Sequence, residues 1–161
     1  MVKRSFGAIS VLVVIAPLVA GAATRELKTA DIAGRWSGTS HAEKSRSILT
    51  LDIVACGTGW CGIKVEVGDK CGGTALKLNS GVVKENNGQF QGTLSLIPGT
   101  EPYTIHATIF PPDEGKPLEM QVTGDTSGNY QALQRSFPFE AALARVKDAV
   151  CKSPATVSSL Q

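Results

Sequence analysis

The stretch Ile48-Leu-Thr-Leu-Asp-Ile-Val-Ala-Cys56-Gly-Thr-Gly-Trp-Cys61-Gly-Ile-Lys-Val-Glu-Val67 limits what this chain can become. Apolar and polar residues alternate on either side of a glycine-rich turn, with a cysteine at each shoulder. A period of two puts successive side chains on opposite faces of an extended strand, so the stretch reads as a β-hairpin with one apolar face. Leu49, Leu51, Ile53 and Ala55 share a face of the first strand, and Cys61, Ile63, Val65 and Val67 share a face of the second. If Cys56 stands opposite Cys61, the two apolar faces fall out of phase. One extra residue, a β-bulge at Gly57-Thr58-Gly59, would bring them back together.

The same rhythm recurs along the chain. A first strand opens at Gly34 with Trp36 just inside it, the tryptophan plugging one end of a core. After the hairpin come Thr74, Leu76 and Leu78, then a turn at Asn86-Asn87-Gly88, then Phe90, Gly92, Leu94 and Leu96. Pro98-Gly99 turns the chain into Tyr103, Ile105, Ala107 and Ile109, and a Pro111–Gly115 loop leads to Leu118, Met120 and Val122. Residues 136–150 read two ways. Ala141-Ala142-Leu143-Ala144-Arg145 favours helix, with Phe139, Leu143, Val146 and Val150 at helical spacing. Phe137, Phe139, Ala141 and Leu143 equally share a strand face, and an eighth strand would cover edges that seven strands leave open. The strand is the preferred reading. The expected fold is all-β, a single antiparallel meander barrel of about eight strands over residues 31–151, after a flexible lead-in at 23–30 and before a disordered tail at 152–161.

Residues 1–22 read as a secretory signal peptide. Lys3 and Arg4 precede an apolar run from Ile9 to Val19, and Ala20-Gly21-Ala22 offers small residues for cleavage. The apolar run is too short for a stable membrane anchor. A cut after Ala22 leaves 139 residues, enough for one core, and removes the two cations responsible for the formal charge of +2. A neutral chain without basic runs has no electrostatic reason to bind nucleic acid.

Export bears on the four cysteines, Cys56, Cys61, Cys71 and Cys151, because an oxidising compartment favours two disulfides. With Cys61 and Cys71 opening successive strands, about six residues at ~3.3 Å each separate Cys61 from the intervening turn. Bridged Cα atoms lie only about 5.5–6 Å apart, so neither Cys61 nor Cys56 can reach Cys71. That leaves Cys56–Cys61 and Cys71–Cys151. Four-cysteine zinc binding is disfavoured, since no short C-x-x-C spacing is present.

Gly34-x-Trp36 at the first strand, followed by this meander, resembles the calycin superfamily of lipocalin-like barrels. More narrowly, the Cys56–Gly62 hairpin resembles that of small bacterial envelope proteins carrying a Cys–turn–Trp-Cys-Gly motif. The resemblance implies a barrel from about Asp31 to Cys151, and no particular activity.

Chemistry is sparse. His41 and His106, the two histidines, have no metal-ligand spacing, and no nucleophile elbow or phosphate loop occurs. Asp52 is a carboxylate in an apolar strand and Glu140 another; both read as solvent-face residues. No catalytic residue, metal or cofactor is expected. Two non-catalytic functions compete. One is binding of a small hydrophobic ligand in a lumen lined by Trp36, Leu51, Ile53, Ile63, Val65, Leu94, Tyr103 and Ile105, with Gly92 and Ala107 leaving room. The other is interaction with an envelope protein, as an inhibitor or accessory factor, through loops 40–46, 57–60 and 111–116.

Overall fold

The computed structural model describes residues 26–42, 45–79, 81–84, 87–111, 116–126 and 139–152, and it closes the alternating segments into a barrel. The strands are β1 (Gly34–Ala42), β2 (Ser45–Cys56), β3 (Gly59–Glu66), β4 (Lys70–Leu78), β5 (Val82–Lys84), β6 (Asn87–Leu94), β7 (Tyr103–Phe110), β8 (Glu119–Thr126) and β9 (Phe139–Lys147). Each pairs antiparallel with its sequence neighbour from β1 to β4 and from β6 to β9. β9 then pairs with β1, and β4 with β6, so eight strands form a ring. β5 is a ninth, short strand on the flank of β6 that the sequence reading did not foresee. The signal peptide read at 1–22, the start of the lead-in and tail residues 153–161 lie outside the described residues.

The ambiguous segment is a strand. In β9, Phe139, Ala141 and Leu143 are buried while Glu140 and Ala142 between them are exposed. Its alanines favour helix in isolation, yet as a strand it forms two complete ladders and removes both sheet edges. That tertiary gain overrides a propensity difference of a few tenths of a kcal/mol per residue.

The interior is packed with side chains. Trp36, Ile53, Ile105, Ile109, Met120 and Phe139 are all 0 % exposed, and Leu49, Leu51, Leu76, Leu94 and Leu143 are buried with them. Burying each such side chain contributes about 1.5–3 kcal/mol. One mouth is closed by the chain before β1: a 3-10 turn at Thr29–Asp31, with Leu27 and Ile32 in the core and the Trp36 indole N–H donating to the Ile32 carbonyl at 2.9 Å. Leu27 falls in the segment read as a flexible lead-in, so the fold begins earlier than Asp31. Tyr103, half-buried, packs against Phe139 with ring centroids 5.3 Å apart.

The space beside Gly92 is taken by β4. A Cβ at that position would stand 1.9 Å from the Lys77 carbonyl oxygen, so the missing side chain is what lets β4 approach β6. The closure at this seam consists of three residue pairs, Leu76↔Leu94, Lys77↔Thr93 and Leu78↔Gly92. Ala107, also expected to leave room, is 1 % exposed and part of the core.

The hairpin differs from expectation in its register. Cys56 pairs with Gly59 and Cys61 with Val54 across a two-residue turn at Gly57-Thr58, with no bulge. Directly opposed residues share a face, so Ile53 and Gly62 point inward while Asp52, Val54, Cys61 and Ile63 point outward. The inward position of Gly62 is consistent with the Leu76 side chain lying 2.7 Å from where its Cβ would be. The irregularities sit elsewhere, between β3 and β4 next to Gly72-Gly73 and at Arg35/Trp36 between β1 and β9. Ile63 and Val65 therefore do not line the lumen. The outer wall at this place carries apolar residues because it is itself covered.

Candidate functional site

The cover is the end of the described chain. Residues 148–152 follow β9 and lie against the outer wall formed by β1 to β4, held by the Cys71–Cys151 disulfide. Cys71 sits opposite Val65, Ile63 is 2 % exposed and Cys151 is 2 % exposed. The bridge joins residues 80 apart with Cα atoms at 5.6 Å. The second expected bridge, Cys56–Cys61, is also present, with Cα atoms at 5.7 Å across the hairpin.

Beneath that segment lies a buried charge cluster. Arg35 and Asp52 are cross-strand partners, 3 % and 0 % exposed. Arg35 Nε donates to Asp52 Oδ1 at 2.6 Å and Nη2 to Oδ2 at 2.9 Å, a two-pronged match of guanidinium to carboxylate. Oδ2 also accepts the backbone N–H groups of Val150 at 2.9 Å and Cys151 at 2.7 Å. Arg35 Nη1 donates to Asp69, which belongs to the β3–β4 turn and adopts φ 60° beside Gly68 at φ 76°. The two positive-φ residues bend the three-residue connection Val67–Asp69 between Glu66 and Lys70, and the Asp69 carboxylate there meets Arg35. Lys147 Nζ stands 3.8 Å from Asp69 Oδ2.

Electrostatics follow from this packing. Burial raises the Asp52 carboxyl, but hydrogen bonds from Arg35, Cys151 and Val150 outweigh it and hold the group below its ordinary value. The bonds to Asp52 hold the Arg35 guanidinium more firmly charged, against the opposing pull of burial. Among the described residues no buried side-chain polar atom lacks a partner. A saturated cluster of this kind fixes structure and leaves no group free to react. Asp52 is thus neither a solvent-face residue nor a lumen group. It ties the end of the chain to the wall.

The two histidines lie apart on the outer surface. Both histidines fall on one cross-strand row of the outer surface, Gln91–His106–Thr123–Glu140–His41–Arg46, which crosses six strands. Three strand spacings of ~4.8 Å put His41 about 14 Å from His106, too far to share a metal ion. No group of metal-ligating side chains occurs among the described residues. At the closed mouth, Arg145 Nε donates to the Ala33 carbonyl at 3.0 Å and Nη2 to Asp148 at 2.8 Å.

Three concave features formed by the described residues lie outside the lumen. One of about 450 Å³ runs over β6 and β7 past Gln89, Gln91, His106 and Thr108. Another of about 440 Å³ lies over β8, β9 and β1 past Gln121, Glu140 and His41. A third, about 370 Å³, sits at the closed mouth between the 3-10 turn, the β2–β3 hairpin and β5, lined by Ile32, Trp60, Val83 and Phe90. Of the expected lumen residues, Trp36, Leu51, Ile53, Leu94 and Ile105 meet in the core and Tyr103 packs against its margin. Of the expected contact loops, 57–60 is the β2–β3 turn and the start of β3; residues 43, 44 and 112–115 lie outside the described residues.

Comparison of the chain with protein-family models, with curated proteins and with solved structures finds no match.

Proposed function

We propose that this protein is a non-catalytic, exported barrel that acts through its outer surface, as an interaction module of the cell envelope. The observation that carries the reading is the packed interior: Trp36, Leu51, Ile53, Leu94 and Ile105, expected to contact a lumen ligand, belong to one buried core. Small barrels have interiors that side chains just fill or that hold one small ligand, and this one fits the first case. The N-terminal signal-like segment and the paired cysteines support export. Ring closure, a bound chain end and a stapled hairpin give the surface a rigid frame, which lowers the ordering cost of binding.

The test has two arms on the oxidised mature protein. A panel of fatty acids, phospholipids and hydrophobic dyes is expected to show no saturable binding. Crosslinking in envelope preparations is expected to return a reproducible protein partner. Stoichiometric lipid or dye binding, with no partner recovered, would overturn the reading.

A further inference from the structure

Ring closure gives eight strands a partner strand on each side, and β5 a partner on one side only. β5 pairs with β6 through Val82↔Gln89, Val83↔Gly88 and Lys84↔Asn87, and has no strand on its other side among the described residues. The reason lies in the strand lengths. β5 prolongs the line of β4 along β6, with the Asn79 N–H donating to the Gln91 carbonyl at 2.8 Å between them. β3, which covers β4, begins only at Gly59, with Trp60 opposite Leu78. Beyond that point no strand of the described residues covers the line.

An open edge presents backbone N–H and C=O groups in the spacing of an extended chain. Val82 is 53 % exposed and Val83 38 %, so both faces of β5 offer apolar side chains. Alongside lies the depression at the closed mouth, about 370 Å³, with Trp60 and Phe90 in its wall and no charged residue among the described residues that line it. The edge selects an extended backbone, and the neutral apolar lining selects uncharged side chains. Its volume lies near the low end for ligand sites, room for a few apolar side chains.

We propose that β5 and this depression form a docking site for an extended, uncharged segment of a partner protein, added as a further strand next to β5 with its apolar side chains directed at Trp60 and Val83. This rests on the surface-acting reading and gives it a place and a partner chemistry. Main-chain hydrogen bonds would provide affinity and the depression would provide selectivity.

The test titrates the isotope-labelled, oxidised mature protein with the capped peptide acetyl-Ser-Val-Thr-Val-Thr-Val-Ser-amide. Its control is the same peptide with proline at the central valine, which cannot complete a ladder. Saturable shifts are expected in the amides of Val82–Lys84 and Gly57–Trp60, with affinity at least ~10-fold weaker for the proline peptide and for the Val83→Lys protein. If Val83→Lys does not fold, the proline peptide decides alone. No shift at millimolar peptide, or equal affinity for both peptides, would overturn the proposal. So would the same amides shifting with protein concentration alone while the protein sediments as a dimer, because the occupant would then be a second copy. Crosslinking yields from the wild type and Val83→Lys separate the two ideas. A partner captured equally by both removes the β5 site and leaves the surface-acting reading standing, whereas no partner for either removes both.

Discussion

Replacing Asp52 with asparagine is expected to destabilise the protein by about 3–5 kcal/mol, read as a lower midpoint in urea unfolding at neutral pH. The substitution keeps the shape and removes the charge. Arg35, its side chain 4 % exposed, would then keep its charge beneath the chain end with only Asp69 to balance it. Two backbone N–H groups, those of Val150 and Cys151, would lose a charged acceptor. Removing one partner of a buried pair costs far more than removing both, so Arg35→Met combined with Asp52→Leu is expected to fall well short of the sum of the single losses. It would still leave two donors without an acceptor, at about 1–3 kcal/mol each. Acid provides an independent reading. The folded-state value of Asp52 lies below that of the unfolded chain, so its contribution is complete above about pH 4. As pH falls through the lower folded value, that contribution is lost. The wild type should therefore lose stability on acidification to a greater extent than Asp52→Asn, and parallel acid limbs would show that Asp52 does not act this way.

The second large effect concerns the long bridge. Replacing Cys71 and Cys151 together by alanine is expected to cost roughly 4–5 kcal/mol, because the bridge closes a separation of 80 residues. The same double replacement at Cys56 and Cys61, a separation of 5, should cost about 2 kcal/mol. Thermal unfolding of the two variants ranks them, and the reverse order would mean that the hairpin staple dominates. The long bridge and Asp52 hold the same few residues. Combining Asp52→Asn with the Cys71/Cys151 replacement should thus give less than the sum of the two effects, whereas combination with the Cys56/Cys61 replacement should be close to additive.

These effects also mark where the sequence was readable. Period-two alternation from Leu49 to Ile53 and from Tyr103 to Ile109 showed the strands, because a closed sheet needs one apolar face along every strand. Disulfide pairing was readable too, since strand lengths exclude the other connectivities. The register of β3 was not. Gly57-Thr58-Gly59 accommodates either a two-residue turn or a bulge, and that one-residue choice decides whether Ile63 faces the lumen or the outer wall. Taking Ile63 and Val65 as lumen residues assumes that apolar means inward. That assumption fails where a distant segment covers the outside.

Asp52 was misread for a related reason. Its partners are Arg35, 17 residues earlier, and the Val150 and Cys151 amides, 98 and 99 residues later. No local pattern announces a carboxylate whose acceptors are filled from so far along the chain. Gly92 gave a misleading signal of space, since a missing side chain can admit a ligand or a neighbouring strand, and here it admits β4. The polar face of β6 to β8 was visible as alternating Gln, Thr and His, but the open edge at β5 depends on where β3 starts, which alternation alone does not fix.

All of this depends on the outer wall of β1 to β4 being sealed by the chain end that Asp52 holds. Amide hydrogen exchange at Val150 and Cys151 in the oxidised protein measures that seal directly. Both amides should exchange only as fast as those in the centres of β1 and β2, slowing as the whole barrel does, and both should become fast in Asp52→Asn. Rapid exchange at these two positions in a protein whose β1 and β2 amides remain protected would contradict the account.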